Sequence, residues 1–112
     1  MTLTLVTVEN IILEDGTCPF KKWYRKQVSE AKAEIDVRLE QVKKGNYGDH
    51  RNLKRGVVEL RVGFGQGLRV YGGVWKGTFF LLAYGGFKKT QQDDIQTATE
   101  IWVSFTKSQG KK

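Results

Sequence analysis

From Val57 to Tyr71 the chain alternates between two kinds of side chain with a period of two, and this alternation constrains it more than any other feature. Val58, Leu60, Val62 and Phe64 fall on one side, while Val57, Glu59 and Arg61 fall on the other. After Gly65-Gln66-Gly67 the pattern resumes, with Leu68 and Val70 apolar and Arg69 and Tyr71 not. Two strands joined by a glycine-rich turn make a hairpin whose faces differ in character. Residues paired across an antiparallel ladder must share a face. Centring the turn on Gly65 satisfies that condition. It sets Leu60 opposite Val70, Glu59 opposite Tyr71, and Arg61 opposite Arg69.

Like charges directly opposed on a sheet cost roughly a few tenths to 1 kcal/mol, so the arginine pair points to an anion between the two guanidinium groups. Phosphate suits it, because guanidinium binds phosphate oxygens bidentately and keeps its charge. The plainer alternative is that Glu59 neutralises Arg61 along the strand and leaves a surface ion pair. Beyond the hairpin, Tyr84-Gly85-Gly86-Phe87-Lys88-Lys89 delivers two lysines just before a helix start, where they extend the cationic surface. Lys54 and Arg55 precede the hairpin and add to it, or act as scattered solubilising charge.

The rest of the chain supplies the layers around this hairpin. Thr2 to Ile12 alternates and reads as a first strand ending at Glu14-Asp15-Gly16. Thr17 is placed to cap a short helix opened by Pro19, with Phe20 and Trp23 on its core face. Ser29 is placed to cap a second helix, antiparallel to the first, with Val28, Ala31, Ile35, Leu39 and Val42 on its apolar face. Its other face mixes Lys32, Glu34, Asp36, Arg38, Glu40 and Lys43, which reads as solvated, and Gly45 ends it. Thr78 to Tyr84 is apolar on both faces and predicts a central, covered strand. Thr90, followed by Asp93 and Asp94, starts a last helix carrying Ile95, Ala98, Trp102 and Phe105, and the polar tail from Lys107 to Lys112 frays.

With 112 residues the chain holds one core, so residues 1–112 are expected to form a single domain. The lone Cys18 excludes an internal disulfide and a thiol metal knuckle, which argues for a reducing compartment, with the cytoplasm as the default expectation. Glu9, Asn10 and Glu14 interrupt the N-terminal apolar residues, so neither a signal peptide nor a membrane span is expected there. The formal charge of +7 draws such a protein toward polyanions, nucleic acid first.

Two weaker motifs carry no chemistry. Gly63-Phe64-Gly65-Gln66-Gly67 mimics part of a dinucleotide fingerprint but joins two strands, where that motif needs a strand followed by a helix. His50, the only histidine, sits in a polar segment without a second ligand and beside Asp49, so neither a metal site nor a hydrolytic triad is expected.

Six ordered motifs resemble one family along nearly the whole chain. They are Phe20-Lys21-Lys22-Trp23, Ile35 with Arg38-Leu39, Gly45-Asn46-Tyr47-Gly48-Asp49, Gly56-Val57-Val58-Glu59-Leu60-Arg61, Gly67-Leu68-Arg69-Val70-Tyr71, and Gly85-Gly86-Phe87-Lys88 with Gln91 and Asp94-Ile95. The chain is similar to the RelE/HigB-type toxins of type II toxin–antitoxin systems, within the RelE/ParE superfamily, and specifically to the phage-derived addiction-module killer proteins. The resemblance implies an α+β fold in β-α-α-β-β-β-α order. It further implies a curved, mostly antiparallel sheet with a helical hairpin packed on one face, a C-terminal helix, and a concave basic face. It implies an endoribonuclease that cuts translated messenger RNA at the ribosome without metal or other cofactor. The implied partner is a cognate antitoxin, of helix-turn-helix type, through which alone the toxin reaches operator DNA.

In such cleavage the substrate's 2′-hydroxyl attacks the adjacent phosphate, so the protein stabilises charge and moves protons. The resemblance makes Arg61, Arg69, Lys88 and Tyr71 the catalytic candidates, and Lys54, Arg55, Glu59, Tyr84 and Lys89 the RNA-binding ones. Tyr71, Tyr84, Glu59 and Lys54 are the alternatives for proton transfer, because the tyrosine that some relatives carry on the final helix is missing. Two further departures, Phe87 for the family's acid and Lys89 for its small hydroxyl residue, raise the local positive charge. The competing readings are a ParE-like DNA gyrase inhibitor and a catalytically weakened RNA-binding relative.

Overall fold

Alternation in the second half of the chain builds a sheet, and the two helical stretches before it supply one covering layer. The computed structural model describes residues 5–65 and 67–110. Its elements are β1 (Thr7–Asn10), α1 (Pro19–Arg25), α2 (Ser29–Lys43), β2 (His50–Asn52), β3 (Val57–Arg61), β4 (Arg69–Trp75), β5 (Phe79–Gly86) and α3 (Gln91–Gly110), with 3-10 turns at Lys54–Gly56 and Lys88–Thr90. The strands form one five-stranded sheet in the order β1-β5-β4-β3-β2. β1 runs parallel to β5, and every other neighbouring pair is antiparallel. The fold is α+β, as expected. β2 is the addition: the segment read as a polar loop around His50 pairs with β3, although all three of its residues are exposed.

Strand alternation feeds two cores on opposite faces of the sheet. On one face Val58, Leu60, Val62, Val70, Phe80 and Leu82 meet Phe20 of α1 and Ala31, Ile35 and Val42 of α2. On the other, Ile11, Val57, Tyr71, Leu81 and Ala83 meet Ala98 and Trp102 of α3. The apolar run of β5 is explained by this layering, since Phe80 and Leu82 serve one core while Leu81 and Ala83 serve the other. Fully buried side chains such as Phe80, Ile35 and Leu60 contribute roughly 1.5–3 kcal/mol each.

Several local expectations shift. β1 is confined to Thr7–Asn10, which pairs with Phe79 to Leu82 of β5; Thr2 to Thr4, with Lys111 and Lys112 of the expected tail, lie outside the described residues. Thr17 does not cap α1, because its amide and hydroxyl bond to the Asp15 carboxylate and Cys18 takes the cap position. Ser29 is the first residue of α2, and Val28, expected in the core, is 58% exposed. α3 continues through the expected frayed tail as far as Gly110.

Arg38 departs most from expectation. Read as part of a solvated face, it is buried, and its guanidinium donates to the carbonyls of Arg61 (2.8 Å), Asp49 (2.8 Å) and Tyr47. One side chain of α2 thereby ties down the segment before β2 and the end of β3. Burial lowers the Arg38 pKa from its ordinary value, with nearby Asp49 opposing that shift. Among the described residues no helix is long and apolar enough to cross a membrane.

Candidate functional site

The hairpin register is the predicted one: Leu60 pairs with Val70, Glu59 with Tyr71, and Arg61 with Arg69. Neighbouring strands extend both rows. Arg51 of β2 lies opposite Glu59, and Tyr84 of β5 lies opposite Tyr71, so Arg51, Glu59, Tyr71 and Tyr84 cross four strands in one line. The second line runs from Arg61 through Arg69 to Gly86. Five of the residues picked from the sequence (Glu59, Arg61, Arg69, Tyr71 and Tyr84) therefore share one region of one sheet face, as alternation requires.

Glu59 organises this region. Its side chain is fully buried, and the Nε atoms of Arg51, Arg69 and Arg61 stand 3.4, 3.5 and 3.9 Å from its carboxylate oxygens. Gln91, the first residue of α3, donates its side-chain amide to Glu59 Oε2 at 2.8 Å. Part of the anion expected between the two arginines is thus built into the protein. The expectation of an open arginine pair holds for Arg61, whose side chain is 43% exposed, while that of Arg69 is only 11% exposed. The reason is α3, which rests on this face and covers the Tyr71 side of the row. Arg61 also faces Asp49 at 3.4 Å.

Tyr71 is completely buried, and its hydroxyl has no hydrogen-bond partner among the described residues. Burial, followed by the charges of Glu59 and Asp94, pushes its pKa well above the usual tyrosine value, so it keeps its proton. Asp94 of α3 lies against Gly86 and accepts a hydrogen bond from the Thr90 hydroxyl at 2.5 Å. Burial raises its pKa, and the Thr90 bond opposes that shift.

Lys88 joins the arginines through Gly67. That glycine adopts φ +77°, and a Cβ on it would stand 2.8 Å from Lys88 Cβ and 3.0 Å from Arg69 Nη1. Arg69 Nη1 also donates to the Gly67 carbonyl at 2.9 Å. The turn of the hairpin therefore seats Arg69 beside the start of the Lys88–Thr90 turn, where Lys88 and Lys89 are both exposed. Lys54 and Arg55 stand apart. They occupy the turn at the opposite end of β3 from Arg61 and border a groove against Ile95, Gln96, Thr99 and Glu100 of α3.

Sequence reasoning missed Arg51, Gln91 and the clamp by Arg38. Arg51 lies on a short polar strand without hydrophobic alternation, and no local signal marks it. Gln91 belongs to the last of the six motifs, yet its reach to a strand residue 32 positions away is a tertiary fact.

No protein-family model matches the chain. An uncharacterized protein of Haemophilus influenzae is 40% identical over 83 residues, spanning 73% of this chain and 84% of that protein. At that identity and coverage, the chain belongs to one family with the Haemophilus influenzae protein.

Proposed function

We propose that the protein is a RelE/HigB-type toxin of a type II toxin–antitoxin module, cutting messenger RNA at the ribosome in the cytoplasm and held in check by a cognate antitoxin. The observation that carries this reading is the cross-strand pair of Arg61 and Arg69 with Lys88 beside it, a cluster in which cations outnumber the carboxylates. Support also comes from the element order β-α-α-β-β-β-β-α, which differs from the order the resemblance implies by one short edge strand. The exposed Val28 and Val37 at α2 leave apolar surface for a protein partner.

The reaction that suits this cluster is internal transesterification. The 2′-oxygen of one nucleotide bonds to the adjacent phosphorus, and the bond to the 5′-oxygen of the next nucleotide breaks. A proton leaves the 2′-hydroxyl and another reaches the 5′-oxygen, yielding a cyclic phosphate and a 5′-hydroxyl end. Arg61 and Lys88, both exposed, stabilise the charge that builds on the phosphate oxygens, and Arg69 supports them from beneath. Glu59 positions the arginines; it is buried beneath them, with Oε2 bonded to Gln91, and does not reach the surface where substrate lies. Tyr71 lies too deep to meet substrate and supports the row.

Brief expression followed by mapping of new RNA 5′ ends, with the DNA-damage response scored in parallel, tests this reading. New 5′-hydroxyl ends inside coding regions are expected. Intact transcripts with induced DNA damage would favour a gyrase inhibitor, and no growth defect would favour an inactive relative.

A further inference from the structure

β1 pairs with β5 only as far as Leu82, and the Ile11 amide makes the last bond to the Leu82 carbonyl. Beyond that point the β5 edge has no strand partner among the described residues, and α1 fills the space. Between α1 and this bare edge lies a groove of about 300 Å³ lined by Thr17, Pro19, Lys22, Trp23, Lys26 and Tyr84. Two aromatic rings and two lysines thus border one cleft. α1 and its cap residue carry Lys21, Lys22, Arg25 and Lys26, all exposed, with no acid in the helix.

Trp23 is fixed in this cleft by its surroundings. Its ring rests on Gly85, where any Cβ would overlap it, and Phe20 packs on it with ring centres 5.7 Å apart. Its backbone carbonyl accepts the Gln27 side-chain amide at 2.9 Å. Tyr84 links the cleft to the arginine rows, since it lies opposite Tyr71 and two residues before Gly86, the partner of Arg69. Two residues along a strand span about 6.6 Å, so the cleft lies about that far along β5 from the Arg69 row.

We infer that this cleft is a nucleotide subsite for single-stranded RNA, in which a base stacks on Trp23 and Tyr84 while Lys22 and Lys26 hold the flanking phosphates. The inference rests on the ribonuclease reading and deepens it: RNA crosses the Arg61–Arg69–Lys88 cluster and continues over the β5 edge onto α1. Single strands are the substrate class that suits the cleft, because aromatic platforms need unstacked bases and a lysine rim needs phosphates. The other two tryptophans, Trp75 and Trp102, are packed with each other and with Phe105 on the α3 side, so base stacking at the cleft reports through Trp23.

The test titrates purified protein with a short single-stranded RNA carrying 2′-O-methyl groups, which binds but cannot be cut by its own 2′-oxygen. Tryptophan fluorescence and RNA anisotropy are followed together, and cleavage of unmodified messenger RNA is measured separately on added ribosomes. The wild type is expected to bind with quenching, Trp23→Phe to bind without it, and Lys22→Glu with Lys26→Glu to bind roughly tenfold or more weakly. The charge-matched Lys44→Glu with Lys107→Glu control, outside the cleft, is expected to lose less than about threefold. Equal losses in the two double variants, or quenching that persists in Trp23→Phe, would overturn the subsite even if the RNA is cut. Loss of binding confined to the cleft variants supports the subsite, and if messenger RNA on added ribosomes then stays intact it is the nuclease reading that falls.

Discussion

Glu59 Oε2 lies 3.5 Å from Arg69 Nε in a place where the carboxylate is wholly buried and the arginine nearly so. A buried charge is tolerated when it is paired, and removal of one partner strands the other. Glu59→Ala should therefore destabilise the protein by about 3–5 kcal/mol, read from the denaturant midpoint. Glu59→Gln should cost less, because an amide still accepts from Gln91 and fills the same volume. A loss below about 1 kcal/mol for Glu59→Ala would mean the carboxylate does not hold the arginines.

Arg61 separates function from folding more cleanly than its partner does. Its side chain is partly exposed and its ion pairs are loose, at 3.4 and 3.9 Å, so Arg61→Ala should change stability by no more than about 1 kcal/mol. RNA cleavage should nevertheless be abolished. Arg69→Ala is expected to lower both, because that side chain is buried against Glu59. Thermal melts beside a cleavage assay check the contrast, and equal melting losses for both variants would contradict it.

Arg38 holds three carbonyls that no other side chain among the described residues satisfies. Arg38→Met keeps most of the volume but leaves those acceptors without their charged donor, at a cost of about 3 kcal/mol. Hydrogen exchange should speed up across residues 47–50 and at Arg61, where the amide bonds to the Asp49 carbonyl. Unchanged exchange there would mean that the segment is held by other contacts.

Tyr71 gives a pH signature. Burial raises its pKa, so the folded protein keeps this proton while the unfolded chain releases it near pH 10. The native state then binds more protons, and stability falls as pH rises above that value, by at most about 1.4 kcal/mol per pH unit from this group. Tyr71→Phe should flatten that alkaline limb and leave cleavage near neutral pH unchanged, as expected of a buried hydroxyl with no hydrogen-bond partner among the described residues. Stability measured from pH 8 to 11 decides it; a limb as steep as the wild type's would assign the effect to other groups.

What the sequence disclosed follows from which forces are local. The pairing of Arg61 with Arg69 was readable because period-two patterning and a turn centred on Gly65 leave one register that keeps Leu60, Val62, Leu68 and Val70 together. α3 was readable for the same reason at helical spacing. Arg51 was hidden because β2 buries no side chain and so imprints no pattern. Arg38 read as solvated because its neighbours are charged, and only the fold brings three carbonyls to it. The burial of Arg69 and Tyr71 follows from where α3 docks, and nothing in β4 alone encodes that. Val28 misled in the opposite sense: it fits the helical spacing but falls at the cap, ahead of the packed face.

The salt dependence of RNA affinity tests the phosphate role of the arginine pair most directly. With a single-stranded RNA, each phosphate contact contributes about 0.7 to the slope of log affinity against log salt. Arg61→Ala should reduce that slope by roughly this amount, and Lys44→Glu with Lys107→Glu should lower affinity with a smaller change in slope. A slope in Arg61→Ala identical to that of the wild type would contradict a phosphate bound at Arg61.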